Sequence, residues 1–221
     1  MFTGIISAIG KLASLERSAA DIRLRVNTGK LMLGDVGLGD SIATNGVCLT
    51  VVELPGDGYI ADVSLETLSL STLGSLSPGA AVNLEKALTL NTPLGGHLVS
   101  GHVDGIGQVL SRKQNGRSIQ FIIEAPAALA RYIAHKGSIC VDGASLTVNA
   151  VHGSRFELNI VPHTLQQTIM SGYRAGTRVN LEVDLIARYL ERLLLGDKAA
   201  DPGVSGSLTL ETLARHGFLR D

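Results

Sequence analysis

Gly46-Val47-Cys48-Leu49-Thr50-Val51 returns 97 positions later as Gly143-Ala144-Ser145-Leu146-Thr147-Val148. The match spreads outward in both directions without drifting. Gly4, Ile9 and Gly10 return as Gly101, Ile106 and Gly107, Ser41-Ile42 as Ser138-Ile139, and Val82-Asn83-Leu84-Glu85 as Val179-Asn180-Leu181-Glu182. A constant offset from Gly4 to Glu85 means no net insertion or deletion between the copies. The chain therefore encodes two superimposable domains and not a solenoid of small units.

Within each copy, β-branched runs alternate with glycine-rich turns. The pattern predicts strands over Ile5 to Leu15, Ile22 to Val26, Ser41 to Ala43, Val47 to Leu54, Tyr59 to Ser64 and Ala81 to Glu85. Thr44-Asn45-Gly46 and Asp57-Gly58 read as turns, because Asn and Gly tolerate positive φ. The second copy repeats them as Val141-Asp142-Gly143 and His152-Gly153. About six short strands in about 95 residues predict an all-β fold, each unit a closed or nearly closed antiparallel barrel, since closure removes exposed edges. Short helices are predicted over Lys30 to Leu33, Leu65 to Leu73, Ala127 to Ala134 and Pro162 to Met170.

After the second copy the period changes. Leu185, Ile186, Tyr189, Leu190, Leu193 and Leu194 fall at helical spacing, with Arg188, Glu191 and Arg192 on the opposite face. Gly196 stops this helix; Gly196 to Ser207 reads as a flexible stretch, and Leu208 to His216 as a further short helix. With two complete barrels before it, the leucine stripe has no core left to fill, which points to contact between subunits.

The totals exclude several classes. A formal net charge of -1 in 221 residues, without a Lys/Arg stripe, argues against nucleic acid and anionic membrane surfaces as partners. No apolar run approaches the ~20 residues of a membrane span, and Met1-Phe2-Thr3-Gly4 does not open a signal peptide. A cytoplasmic protein is expected. Two cysteines, Cys48 and Cys140, do not match between copies and read as free thiols. Aromatics make up 4% and Trp is absent, so a flat ligand would be held by aliphatic walls and backbone groups.

Motif searches narrow the chemistry. Gly34-Asp35-Val36-Gly37-Leu38-Gly39 lacks the spacing of a dinucleotide fingerprint, and there is no P-loop or nucleophile elbow. His97 and His102 have no third ligand nearby, so no metal is expected, and His135, His152 and His216 read as structural. Superposing the copies aligns Cys48 with Ser145, each two residues before a Thr on one strand face, and Asp62 to Thr67 with Asn159 to Thr164. Either Cys48 or Ser145 alone is as well explained by a small half-buried side chain. The asymmetries say more: Ile5 becomes His102, Gly39 becomes Lys136, Ala87 becomes Asp184 and Cys48 becomes Ser145. Two duplicate pockets with different chemistry suit a reaction in which two similar molecules play unlike roles.

Met1-Phe2-Thr3-Gly4-Ile5-Ile6, Gly39-Asp40-Ser41-Ile42-Ala43-Thr44-Asn45-Gly46-Val47-Cys48-Leu49-Thr50-Val51, Gly95-Gly96-His97-Leu98-Val99-Ser100-Gly101-His102-Val103-Asp104-Gly105 and Asp142-Gly143-Ala144-Ser145-Leu146-Thr147-Val148 resemble the riboflavin synthase family, alpha-chain type. The likeness spans residues 1 to about 195. It implies two tandem six-stranded Greek-key barrels, at 1–97 and 98–184, a trimerisation helix at 185–195, and a tail at 196–221 with a short helix. Each barrel would bind one 6,7-dimethyl-8-ribityllumazine in a homotrimer, with lumazine synthase as a further partner and no cofactor or metal. The implied reaction is a dismutation giving riboflavin and 5-amino-6-(D-ribitylamino)uracil.

By motif position, the implied contacts of the first barrel are Gly4, Ile5, Ile6, Cys48, Leu49, Thr50, Asp62, Val63, Ser64, Leu65, Glu66 and Thr67. Those of the second are Gly101, His102, Val103, Lys136, Ser145, Leu146, Thr147, Asn159, Ile160, Val161, Pro162, His163 and Thr164. Cys48, His102, Ser145 and Asp184 are the implied catalytic set: Cys48 or a water beside it as nucleophile, His102 or a Ser145–Asp184 pair as proton carrier. A non-catalytic lumazine-carrying protein of the same fold is the alternative, and the presence of all four, with Lys136, argues against it. A Cys or Ser hydrolase lacks a recognisable base and oxyanion context.

Overall fold

The repeated phrase folds as a hairpin in both copies. Strands β3 (Ser41–Thr44) and β4 (Val47–Glu53) are joined by Asn45 at φ 47° and Gly46 at φ 77°. In the second copy β9 (Ser138–Val141) and β10 (Ala144–Thr147) are joined by Asp142 at φ 43° and Gly143 at φ 84°. Two consecutive left-handed residues match the twist of the flanking strands, which is why Asn-Gly and Asp-Gly stand there. In this computed structural model, which describes residues 1–17 and 22–200, the two turns touch. A Cβ on Gly46 would lie 2.7 Å from the Gly143 nitrogen, and one on Gly143 would lie 2.9 Å from the Gly46 nitrogen. The pseudo-twofold axis relating the copies passes between them.

Strands β1 (Ala8–Arg17), β2 (Ile22–Asn27), β5 (Gly58–Val63) and β6 (Ala81–Lys86) complete the first barrel, closed in the order β1-β2-β5-β4-β3-β6. The second uses β7 (Gly105–Asn115), β8 (Ser118–Glu124), β9, β10, β11 (Ala150–His152), β12 (Arg155–Ile160) and β13 (Arg178–Val183), in the order β10-β9-β13-β7-β8-β12-β11. Its end strands, β10 and β11, are two pieces of the strand equivalent to β4. The break has a local cause. Asn149 donates its N–H to the Glu157 carbonyl at 2.8 Å, while its side-chain oxygen accepts the Asn159 N–H at 3.2 Å, so a side chain interrupts the ladder. The first barrel carries only a register shift there, between Val51 and Glu53. One barrel is closed and the other is a half-barrel of the same plan.

Alternating burial along β2 and β12 sends one face of each strand into its own core, around Leu24, Val26 and Tyr59 in one barrel and Phe121, Phe156 and Leu158 in the other. Each such side chain contributes about 1.5–3 kcal/mol when removed from water. A smaller cluster of Phe2, Ala43, Val99 and Cys140 lies outside both barrels. It forms where the N-terminal segment pairs with the interbarrel linker through a bridge of Phe2 to Val99.

Three predicted helices differ from what forms. Lys30 to Leu33 is not helical; Gly29, at φ 60°, turns the chain, and four residues are too few to nucleate a helix. Leu65 to Leu73 splits into α1 (Leu65–Leu70) and a 3₁₀ turn at Thr72–Ser75, and Pro162 to Met170 into α2 (Pro162–Gln167) and a turn at Ile169–Gly172. At each break a hydroxyl bonds back to the carbonyl four residues earlier, Ser71 to Thr67 at 2.6 Å and Thr168 to Thr164 at 2.7 Å. The freed N–H groups cross the axis, from Thr72 to Asn180 Oδ1 at 2.6 Å and from Ile169 to Asn83 Oδ1 at 2.8 Å. Ala127 to Ala134 forms a 3₁₀ helix at Ala127–Tyr132.

The C-terminal helix α3 (Leu185–Leu195) starts on an Asp184 cap and stops at Gly196, φ 54°. Its polar face docks on the second barrel, Arg188 on Asp104 and Glu191 on Arg131 and Tyr132. Ile186, Tyr189, Leu190 and Leu193 stay exposed. Gly196–Ala200 forms a 3₁₀ turn where a flexible stretch is predicted; the remainder of that stretch and the Leu208 to His216 helix lie outside the described residues. Among the described residues, no helix is long and apolar enough to cross a membrane.

Candidate active site

Two chain segments cross between the barrels, and they decide which residues meet. The N-terminal segment is held by Glu85, which accepts from Thr3 N–H at 2.7 Å, Thr3 Oγ1 at 2.6 Å and Gly4 N–H at 3.0 Å. The Gly4 carbonyl then accepts the Ser145 N–H at 2.8 Å, in the second barrel. The linker repeats this through Glu182, which accepts from Ser100 N–H at 2.6 Å, Ser100 Oγ at 2.7 Å and Gly101 N–H at 3.0 Å. Its Gly101 carbonyl accepts the Cys48 N–H at 2.8 Å, in the first barrel. Glycine is required at both crossings, where a Cβ would lie 2.5 Å from the Ser145 Cβ or 2.6 Å from the Cys48 Cβ.

This crossing corrects the sequence assignment. Gly101, His102 and Val103, expected in the second barrel, line a cavity of about 190 Å³ with Cys48, Glu66 and Thr67 of the first. Val103 packs on the first core and Ile6 on the second. Gly4, Ile5 and Ile6 accordingly belong with Ser145, not with Cys48. Four further residues of the expected set, Leu49, Val63, Leu146 and Ile160, turn their side chains into the barrel cores and have only backbone to offer. Thr50 and Thr147 lie on the outer face of their strands, in register with Ser41 and Ser138.

The helix starts beside Cys48 and beside Ser145 differ. Ser64 caps α1, its hydroxyl accepting the Thr67 N–H at 3.1 Å, whereas Val161 makes no side-chain cap and Pro162 opens α2. Asp62 is exposed beside Arg23, and Asn159 accepts from Asn115. Leu65, His163 and Thr164 sit in the first turns of α1 and α2. Lys136 is exposed at φ 64°, its N–H bonded to the Val148 carbonyl next to Thr147.

Ser145 has a partner that superposing the copies did not reveal. Its hydroxyl lies 2.7 Å from His97 Nδ1. Gly96 permits this approach, since a Cβ there would lie 2.7 Å from the Ser145 Cβ. Burial lowers the His97 pKa below its usual value, opposed by the charge of Asp184, so a neutral imidazole faces the serine. Nε2 of His97 is buried without a hydrogen-bond partner among the described residues. Ser145 thus bonds to His97, while Asp184 acts on that ring through its charge and its Oδ1 caps α3 on the Ile186 N–H at 3.0 Å. His97 has no equivalent within residues 1–96; its place beside Gly95-Gly96 was the available signal.

Cys48 is half-buried, whereas Cys140 is fully buried and its thiol pKa is pushed well up, first by desolvation and then by Glu182. A larger cavity of about 630 Å³ opens between the Lys86–Asp35 ion pair and Thr89, Thr92 and Gly95, and of the expected site residues only Ile5 reaches it. Among the described residues, no group of three His, Cys, Asp or Glu side chains is placed to hold a metal ion.

Two crossed segments of one plan call for one module used twice, and the model of the lumazine binding domain matches residues 3–87 and again 100–184. The chain belongs to the lumazine-binding domain family. Members of similar sequence include a riboflavin synthase of Photobacterium phosphoreum, 48% identical over 219 residues, covering 99% of this chain and 100% of that one. A riboflavin synthase of Mycobacterium tuberculosis strain H37Rv is 47% identical over 198 residues, covering 88% and 98%. That of Bacillus subtilis strain 168 is 37% identical over 218 residues, covering 99% and 100%. The crystal structure of LumP complexed with riboflavin superposes with a TM-score of 0.77 at 24% identity, over 83% of this chain and 99% of that one. This last likeness concerns the lumazine-binding fold alone.

Proposed function

We infer that the chain catalyses the riboflavin synthase reaction. One 6,7-dimethyl-8-ribityllumazine transfers a four-carbon unit to a second, yielding riboflavin and 5-amino-6-(D-ribitylamino)uracil. The observation that carries this is a duplicated position with unlike chemistry, Cys48 sharing a cavity with His102 in one copy and Ser145 bonded to His97 in the other. Relatives alike over the full chain bear the same name.

The chemistry follows from the ligand. The 7-methyl group of the lumazine is acidic because its carbanion delocalises into the ring carbonyls, so the donor needs a base and stabilising donors. Neutral His97 bonded to Ser145 is poised to accept a proton, with Asp184 favouring the imidazolium that forms. The acceptor needs a nucleophile added to its ring, a role for Cys48 or a water beside it, with His102 handling the proton. Binding two ring systems in fixed relation converts a bimolecular encounter into a local one, with up to about 7–11 kcal/mol available from orientation.

The units assigned are two lumazine-binding barrels at 1–97 and 98–184, a trimerisation helix at 185–195 and a tail at 196–221. Homotrimer formation through the exposed stripe of α3, contact with lumazine synthase and a cytoplasmic location belong to the same proposal. The test is purified protein incubated with the lumazine alone, followed by absorbance and fluorescence of riboflavin. Formation of one riboflavin per two lumazines consumed, without added nucleotide or metal, is the expected outcome. Stoichiometric binding with no product would leave a carrier in place of an enzyme.

A further inference from the structure

Glu85 and Glu182 are buried carboxylates, both absent from the wall of the Cys48 cavity, and Glu85 lines the larger cavity beside Thr3 and Ile5. Each sits on the last strand of one barrel, and each holds a segment that serves the other. Glu182, on β13 of the second barrel, binds Ser100 and Gly101; the Ser100 hydroxyl in turn accepts the His102 N–H at 3.2 Å, and the Gly101 carbonyl takes the Cys48 N–H. Glu85, on β6 of the first barrel, binds Thr3 and Gly4; the Thr3 hydroxyl accepts the Ile5 N–H at 3.2 Å, and the Gly4 carbonyl takes the Ser145 N–H. We propose that the two glutamates are crossed positioning residues, Glu182 setting the geometry of Cys48 and His102 in the first pocket and Glu85 that of Ser145 in the second.

The chemistry explains why a carboxylate stands at each position. Each segment presents three donors within one turn of chain, two backbone N–H groups and a hydroxyl, and only an ionised carboxylate accepts all three without offering a donor. Glutamine would keep one acceptor and turn an NH₂ group against the glycine N–H. Both carboxyls have raised pKa values from desolvation, partly offset by these same hydrogen bonds, as expected where the anion depends on its donors. A shift of the clasped segment moves the carbonyl that fixes Cys48 or Ser145, so the effect appears at the residue of the other barrel.

The proposal deepens the reading of the two pockets as paired substrate sites and rests on it. Thiol labelling tests the geometry alone, so it can fail while riboflavin formation stands, or succeed while it does not. In the full chain, iodoacetamide should label half-buried Cys48 and spare buried Cys140, as read by peptide mass spectrometry. Glu182→Gln should change the Cys48 labelling rate by about fivefold or more, and Glu85→Gln by less than about twofold. In a Ser145→Cys background the thiol at that position should show the reverse dependence. Steady-state kinetics should show kcat falling about tenfold or more in each variant while KM stays within about threefold, because the alignment of reacting groups is lost and not the pocket walls. Should either Gln variant fail to fold, Ser100→Ala and Thr3→Ala remove one bond from each clasp and carry the same crossed expectation. Equal effects of both variants on both thiols, or none on either, would overturn the proposal.

Discussion

Asp142 is where the two copies have diverged most sharply in charge without changing shape. Its Oδ1 accepts the Asn180 N–H at 2.7 Å, and Asn45 in the first copy accepts the Asn83 N–H at the same 2.7 Å. Asp142 has the second oxygen on Tyr173, and complete burial pushes its pKa from 3.8 to about 7. A carboxyl with a raised folded-state pKa keeps its proton where the unfolded chain has lost it, so its contribution to stability falls as pH rises from about 4 to 7. Asp142→Asn, the residue of the other copy, should therefore be the more stable protein at pH 8 by roughly 2–4 kcal/mol and nearly equal to the parent at pH 4. Urea denaturation at the two pH values checks this; a difference independent of pH would show that the charge is not the cause. For the Ser145–His97 pair, Ser145→Ala and His97→Ala should each slow turnover by about 100-fold, and the double variant no further, because the two act as a unit. The burial that lowers the His97 pKa should also place the acidic limb of the kcat profile below the 6.5 of an ordinary histidine, read from kcat against pH.

At the scale of elements, strands were legible and helices only half so, for a physical reason. Strand boundaries in the sequence agree with β2, β3, β4, β5 and β6 within one residue because burial alternates along the chain itself. The breaks in the two short helices depend on Asn180 and Asn83, whose side chains reach Thr72 and Ile169 from far along the chain. No local window contains that information. Helix α3 and the outward direction of its apolar stripe were legible, yet the docking of its charged face on the second barrel was not. Replacing Tyr189, Leu190 and Leu193 together by Ser should consequently dissociate the proposed homotrimer while the barrels keep their melting temperature to within about 2 °C, since these side chains are exposed in the protomer. Sedimentation velocity and calorimetry on the same sample decide it. A variant that remains trimeric would assign assembly to the barrels.

At the scale of the whole molecule, the duplication was plain in the sequence, and with it the equivalence of Cys48 to Ser145 and of the segment Asp62 to Thr67 with the segment Asn159 to Thr164. What could not be read was that the segments cross, since an offset of 97 pairs Gly4 with Gly101 but does not say which barrel each one serves. The crossing changes what the first half can do alone. Residues 1–97 contain a full strand set and core but lack Gly101, His102 and Val99, so Cys48 loses the acceptor of its N–H and Phe2 its bridge. A second copy of the fragment can replace them. Its Thr3 and Gly4, clasped by its own Glu85, stand where Ser100, Gly101 and Glu182 stand in the whole chain, and Gly46 would meet Gly46 where it now meets Gly143. The fragment should accordingly form a dimer about that axis, with two pockets that bind the lumazine. Turnover should remain far below that of the whole chain, because Ile5 replaces His102, Cys48 replaces Ser145 and Ala87 replaces Asp184. Sedimentation velocity, fluorescence titration with the lumazine and a riboflavin assay at equal subunit concentration test the three statements together. A monomer that binds as tightly as the intact protein would show that the crossing segments do not build the pocket, and full activity would mean that the differences between the copies are not catalytic.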